Sequence, residues 1–402
     1  MDKRILRRIG FIGKTEGESM IPLIYPKDGV YIKPVTASKL KVNDIITFEQ
    51  QNKLITHRII YKKSGYVITK GDNNPQSDGR IYPNAVIGKV YKIKRNGQVF
   101  SPESLYLIQS TLYFQEVIKI KRAFEKAKID FVFLKGLPLY LYFEKSHPRR
   151  LYADCDVLID KKDFHKAERI LYAFRYIRET KKTKEIENNY IKTINGLIVI
   201  FDIHLEAAFL MTQFSNLGAL YQQKLIDKLT IELLKTKRKV RIQGANFYFL
   251  SKNFQVVYLF LHFFHHNFRG ASRLDFLDKI VRKSRLSTKN WQDIAFIIND
   301  YQLANFVYPA FMLLRKYYQT SIPKFFLASI KPGFTNLINL IDFKNLSVFD
   351  DESRIRAGVN RFKLIFMLSP QPFWKRLMIF FNPQVVYFGS KVLRSKIISS
   401  RR

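Results

Sequence analysis

The chain has 402 residues, with 69 Lys+Arg against 33 Asp+Glu and a formal net charge of +36. Its length allows roughly two to four domains with real cores. A hydrophobic fraction of 47% excludes a mainly disordered chain, and a single cysteine excludes a disulfide framework or a cysteine-built zinc site. The basic excess invites a nucleic-acid or anionic-membrane partner. A skewed base composition, rich in Lys, Ile, Asn, Tyr and Phe, accounts for part of it.

Residues 1 to about 98 alternate short apolar runs with turn signals. Val30-Tyr31-Ile32, Ile45-Ile46-Thr47-Phe48, Tyr66-Val67-Ile68 and Val86–Val90 are separated by segments such as Tyr25–Gly29 and Gly71–Pro75. The pattern predicts a compact, mostly antiparallel β domain, closed by a turn at Arg95-Asn96-Gly97. From Ser101 the period changes, and a capped helix is expected to Ala127. Strands at Phe131–Leu134, Ala153–Ile159 and Leu197–Leu205 then alternate with helices at Pro138–Glu144 and Phe164–Phe174, the signature of an α/β domain. Beyond about Gly244 the pattern is helical. The expected organisation is a multidomain chain: a mostly-β domain over 1–98, an α/β core over 101–244, and an α-helical C-terminal part over 245–402.

No signal-peptide-length apolar stretch follows the charged start Met1–Arg8. The most apolar window, Val256 to Phe264, is interrupted by His262 and far shorter than a spanning helix. The expectation is a cytoplasmic chain, with peripheral membrane contact through its tail as the alternative. Eleven Lys/Arg and no acidic residue follow Glu352, interleaved with Phe362, Phe366, Phe373, Trp374, Phe380 and Phe381. Such a basic-aromatic stretch reads first as a helical cap on the α/β core with its lysines and arginines exposed, and alternatively as a contact with an anionic membrane surface. No nucleic-acid recognition motif supports the other reading of the charge.

Four signals stand in order in the β domain: Gly17-Glu18-Ser19-Met20-Ile21-Pro22, Val42-Asn43-Asp44-Ile45, Thr56-His57-Arg58-Ile59, and Lys70-Gly71-Asp72-Asn73-Asn74-Pro75-Gln76-Ser77-Asp78. They supply what acyl transfer needs: a serine hydroxyl, a histidine to take its proton, and a carboxylate to fix the imidazole tautomer. Over roughly residues 15 to 92 the set resembles signal peptidase I of the archaeal and endoplasmic-reticulum branch, in which histidine replaces the bacterial lysine. The resemblance implies Ser19 as nucleophile and His57 as general base. It implies Asp78 as the orienting carboxylate, with Asp72 supporting the site or shaping its loop, and no cofactor. The membrane anchor usual in that family is not evident here.

A second constellation begins where Phe131–Leu134 runs into Lys135-Gly136. Asp154-Cys155-Asp156 follows Arg149-Arg150, and residues two apart on a strand share a face, so the two carboxylates point together. Asp202 stands on a later strand. Three such acids can hold Mg²⁺ for phosphoryl or nucleotidyl transfer. The order resembles the DNA polymerase β-like nucleotidyltransferase superfamily, in particular a poorly characterised bacterial family with Lys-Gly, Arg…Asp-x-Asp and Asp-x-His boxes, over roughly residues 105 to 390. The downstream Leu261-His262 and Ser272–Asp278 segments resemble its helical half. The resemblance implies Asp154, Asp156 and Asp202 as metal ligands, with Lys135, Gly136 and Arg150 at the nucleotide phosphates. His262, His265 and His266 lack a companion carboxylate motif and read as structural or substrate contacts.

Together these readings imply a bifunctional chain, a serine endopeptidase that processes a peptide or leader and a Mg²⁺-dependent enzyme that moves a nucleotide from a nucleoside triphosphate to an unknown acceptor. The alternatives are a non-catalytic peptide- and nucleotide-binding protein, or a membrane-associated processing factor with one active site.

Overall fold

The computed structural model describes residues 11–150, 152, 154–179, 187–194, 197–207, 209–210, 217–332, 346–352, 354–387 and 389–390. Residues 11–100 form an antiparallel sheet. Its path runs β1 (Phe11–Lys14), β2 (Gly29–Lys33), β7 (Val86–Arg95), β3 (Ile45–Gln50), β4 (Lys53–Lys63), β5 (Tyr66–Lys70) and β6 (Arg80–Ile81). β8 (Gln98–Phe100) pairs back onto β7, so Asn96-Gly97 makes a hairpin where the sequence suggested the end of the sheet. Alternating apolar residues fill two small cores, one around Leu23, Val30 and Ile93 and one around Phe48, Ile59 and Val67.

Helix α1 (Pro102–Lys126) starts where the sequence suggests. The Ser101 side chain accepts from the Ser104 amide, and Pro102 occupies a position whose missing N–H costs nothing. The mixed second sheet runs β11 (Ile177–Arg178), β12 (Glu187–Ile194), β13 (Leu197–His204), β10 (Asp154–Ile159), β9 (Phe131–Phe133), β15 (Ala245–Phe249) and β14 (Arg238–Ile242). Its centre is a parallel pair, β10 with β13, in which Asp156 lies opposite Asp202 and Leu158 opposite His204. β15 lies beyond Gly244, so among the described residues the helical part begins only at Lys252. It opens with α5 (Lys252–His265), α6 (Ala271–Lys283), α7 (Thr288–Asp300) and α8 (Ala304–Tyr318). α5 is buried on nearly every face, and this explains a sequence apolar all round without membrane length. Among the described residues no helix is long and apolar enough to cross a membrane.

The sheets meet through the helical half. The Tyr61 hydroxyl on β4 donates to the Tyr317 carbonyl at 2.8 Å, and its ring lies 4.7 Å from that of Phe349. The segment around Phe349 continues as a tie. Asp350 accepts from the Ser77 amide and hydroxyl at 2.9 and 2.7 Å, and Asp351 forms ion pairs with both Lys70 and Arg273.

Candidate functional sites

In the first sheet, β4 carries His57, the turn after β1 carries Ser19, and the loop after β5 carries Asp78. Loop and turn are held close. The Asn73 amide donates to the Ser19 carbonyl at 2.8 Å, and a Cβ at Gly71 would lie 2.7 Å from that same oxygen, so the position suits only glycine. His57 is buried and Ser19 half-buried. His57 Nδ1 lies 2.8 Å from Asp78 Oδ2, and His57 Nε2 lies 2.9 Å from Ser19 Oγ. An ionised carboxylate can only accept, so Nδ1 carries the proton and Nε2 is left to accept from the serine hydroxyl. Asp78 is itself fixed: the Thr69 hydroxyl donates to it at 2.7 Å, and its amide donates to the Thr69 carbonyl at 2.9 Å.

Asp72 stands apart from this cluster. Both its oxygens accept from Arg58, at 2.6 Å from Nε and 2.5 Å from Nη2. Burial disfavours the Arg58 charge, yet Asp72 outweighs it and raises the guanidinium pKa. Asp72 is thus engaged by Arg58 and not by His57.

In the second sheet, the parallel register brings Asp156, Asp202 and His204 together, with one potential ligand atom from each within 4.8 Å of the others. His204 Nε2 lies 3.0 Å from Asp156 Oδ1. Two carboxylates and an imidazole suit a divalent ion such as Mg²⁺ or Mn²⁺, with the nitrogen ligand favouring Mn²⁺ more than an all-oxygen set does. Asp154 lies on the same face but outside this group. Lys135 Nζ lies 3.0 Å from Asp154 and 2.6 Å from Asp156. The lysine charge holds the Asp154 carboxyl at about 2, against the opposing effect of burial. Burial works against the Lys135 charge, but the two aspartates raise its pKa. Lys135, expected at a nucleotide phosphate, is thus ion-paired with the acids. Gly136, at φ +102°, lets the chain turn from β9 into α2 (Leu137–Glu144), where a Cβ would come within 3.0 Å of the Asp154 carbonyl. Arg150 donates to the Tyr152 hydroxyl at 2.7 Å.

These groups line a cavity of about 400 Å³, together with His262, His265, His266 and Arg273 from the helical half. His262 and His266 face each other with Nε2 atoms 3.2 Å apart. Burial, reinforced by Lys135 and Arg273, pushes both imidazole pKa values well down, so the pair is neutral. Two contributors were missed as site residues. His204 follows Asp202 at the i+2 spacing that already linked Asp154 to Asp156, so its signal was present. Arg273 reaches the cavity only through packing of α6, and the Ser272–Asp278 box was its one hint.

A strand–turn–helix with clustered acids on neighbouring strands and cations around the same hollow defines a nucleotidyltransferase-type site. A family described as uncharacterised nucleotidyltransferases matches residues 103–319, more than half of the chain, and the protein belongs to that family. The match leaves the first sheet without a family assignment. Among solved structures, the antigenic nucleotidyltransferase-like protein from Paracoccidioides brasiliensis aligns over 55% of this chain and 94% of its own, at 13% identity and a TM-score of 0.29. That likeness is too loose to bear an argument. No curated protein matches the chain.

Proposed function

We propose that the chain joins a Mg²⁺-dependent nucleotidyltransferase, acting from a nucleoside triphosphate to an acceptor, with a serine endopeptidase of signal-peptidase type. What supports the transferase is the Asp156–Asp202–His204 group inside a cavity that also holds Lys135, Arg150 and Arg273. A divalent ion bound by those three side chains would offset phosphate charge and orient the α-phosphate. Arg150 and Arg273 line the same cavity, and in this reading they bind the phosphate oxygens, which planar guanidinium groups suit. The acceptor oxygen attacks the α-phosphorus, the bond to the β-phosphate oxygen breaks, and pyrophosphate leaves while the acceptor proton passes to solvent. Thermal shift with each of the four common nucleoside triphosphates plus Mg²⁺ tests this half. A shift in the wild type, lost in Asp156→Asn/Asp202→Asn, is expected. No shift with any triphosphate would overturn it.

For the peptidase, the support is the continuous Ser19–His57–Asp78 hydrogen-bond chain. His57 Nε2 takes the Ser19 proton as Oγ attacks the scissile carbonyl. It returns that proton to the leaving amine, and water then cleaves the acyl-serine ester. Peptides bearing Ala-x-Ala sites, incubated with wild type and Ser19→Ala, should be cut by the wild type alone. Equal cleavage by both would end this reading.

We also read the C-terminal segment as a peripheral contact with an anionic membrane. It carries exposed Phe373, Trp374 and Phe381 beside Lys375 and Arg376.

A further inference from the structure

Arg273 reaches the acidic cavity from the corner where the chain enters α6. Gly270, at φ +105°, leaves the space its guanidinium fills, since a Cβ there would strike Nη1. The strap 346–352 is fastened to that corner. The Gly270 amide donates to the Val348 carbonyl at 2.8 Å, and Arg269 Nε lies 3.2 Å from Glu352 Oε1. From the same strap, Asp351 Oδ1 lies 3.6 Å from Arg273 Nη1.

The strap also holds the first sheet. The Asp351 amide donates to the Pro75 carbonyl at 2.7 Å, and the Ser77 amide and hydroxyl both donate to Asp350. Asp351 Oδ2 is ion-paired with Lys70, the last residue of β5. Lys70, Pro75 and Ser77 lead directly to Asp78. One carboxylate is thus divided between a cation of the acidic cavity and a cation at the root of the Asp78 loop. The two cations differ in what could replace it. Burial and the neighbouring Arg150 both lower the Arg273 pKa, and Asp351 is the strongest charge opposing them, ahead of Asp154. A triphosphate in the cavity supplies anionic oxygens that a guanidinium binds well. Lys70 is not among the residues lining that cavity. Phosphate therefore competes with Asp351 at Arg273 alone.

We infer that Asp351 is a shared counter-ion that couples the two sites: a phosphate at Arg273 releases the carboxylate to Lys70, and the strap then holds the Asp78 loop more firmly. By linkage, Lys70 favours phosphate binding, because it draws Asp351 away from Arg273. The inference rests on the reading of the acidic cavity as a triphosphate site and adds a regulatory contact to it. It does not depend on peptide cleavage at Ser19.

Hydrogen–deuterium exchange on the full wild-type chain, with Mg²⁺ and a triphosphate that raises its melting temperature, tests this first. Binding should slow exchange of the Ser77 and Asp351 amides roughly fivefold, the lower end of coupling between sites. Calorimetry then measures triphosphate affinity in a double-mutant cycle. Asp351→Asn should tighten binding by about fivefold or more. Lys70→Gln should weaken it by a similar factor alone, and hardly at all when combined with Asp351→Asn, because its effect passes through that carboxylate. Melting identifies any variant that fails to fold, and exchange on the wild type then decides by itself. Unchanged or faster exchange at both amides in a wild type that binds triphosphate would overturn the inference alone. So would an equal effect of Lys70→Gln with and without Asp351→Asn. A wild type that binds none of the four common triphosphates fails the transferase reading itself, and the coupling falls with it.

Discussion

His57 and Arg58, neighbours on β4, serve opposite faces of one strand. His57 turns to Ser19 and Asp78, whereas Arg58 turns to Asp72 and donates to the Arg149 carbonyl at 3.0 Å, ahead of the acidic strand β10. The loop after β5 repeats this division, with Asp78 on the histidine side and Asp72 on the arginine side. A strand's period of two produces such a split from adjacent residues. Arg58 therefore touches the loop after β5 and the segment before β10 at once.

The Arg58–Asp72 pair is nearly buried, with side-chain exposures of 6% and 17%. Removing one partner of such a pair leaves an uncompensated charge, which costs about 3–5 kcal/mol. Arg58→Met should lower stability by that order in urea unfolding. Arg58→Met/Asp72→Leu should recover most of the loss, because no charge remains stranded. A double variant no more stable than the single would show that the ion pair is not what Arg58 contributes.

Asp78 is expected to act through His57 rather than on substrate. Asp78→Asn keeps the shape but favours the wrong imidazole tautomer, so kcat for peptide cleavage should fall roughly ten-thousandfold with KM little changed. Thr69→Val, which removes one hydroxyl from the Asp78 carboxylate, should cost far less. Steady-state kinetics on a cleaved Ala-x-Ala peptide distinguishes the two. A fall confined to KM would assign Asp78 to substrate binding.

Much of this geometry was legible because its signals are local. The Ser19, His57 and Asp78 boxes sit within short turns and strands, and the Asp154-Cys155-Asp156 alternation fixes a shared face on any strand. What escaped depends on partners distant in sequence. The register that sets Asp156 beside Asp202 includes His204 and leaves Asp154 to Lys135, and no spacing within Arg149–Asp156 reports that. β12 was missed because Glu-Asn-Asn-Tyr-Ile-Lys-Thr-Ile has no clean apolar alternation, its support coming from pairing with β13. β15 was absorbed into the helical half because Phe247 and Phe249 precede an apolar helix almost without pause. Its own period-two burial marks it as a strand.

The metal ligands should separate by position. Mn²⁺ titration followed by electron paramagnetic resonance is expected to show binding lost in Asp156→Asn and in Asp202→Asn. Asp154→Asn should keep Mn²⁺ binding, weakened by at most about ten- to a hundredfold, because Asp154 lies outside the three-residue group. Loss of binding in Asp154→Asn equal to that in the other two would restore it as a ligand.

His262 and His266 tie stability to pH. Their folded pKa values lie below the ordinary 6.5, first through burial and then through the nearby Lys135 and Arg273 charges. Below about 6.5 the unfolded chain binds protons that the folded pair refuses, so stability is full above that value and falls as the pH drops. Urea midpoints at pH 7.5 and 5.5 should show this decline, and His262→Gln/His266→Gln should flatten it. An unchanged slope in the double variant would assign the acid sensitivity to other groups.

The C-terminal segment offers a sharper test of membrane contact than net charge does. Phe373, Trp374, Leu377, Met378 and Phe381 recur at helical spacing and are exposed, while Ile379 and Val385 are buried against the body of the protein. Arg376 donates to the carbonyls of Gln371, Phe366 and Met367, which fixes the segment with its aromatic side outward. An outward apolar stripe flanked by basic residues suits the headgroup boundary of an anionic bilayer. The chain's other tryptophan, Trp291, is 5% exposed against 68% for Trp374, so a change in emission reports the tail. Vesicles containing phosphatidylglycerol should shift the emission to the blue and sediment the protein, with both effects reduced by salt and by Trp374→Ser/Phe381→Ser. Neutral phosphatidylcholine vesicles should do neither. If the stripe is instead covered by a second copy of the chain, sedimentation velocity without lipid will show a dimer that the same double substitution disperses.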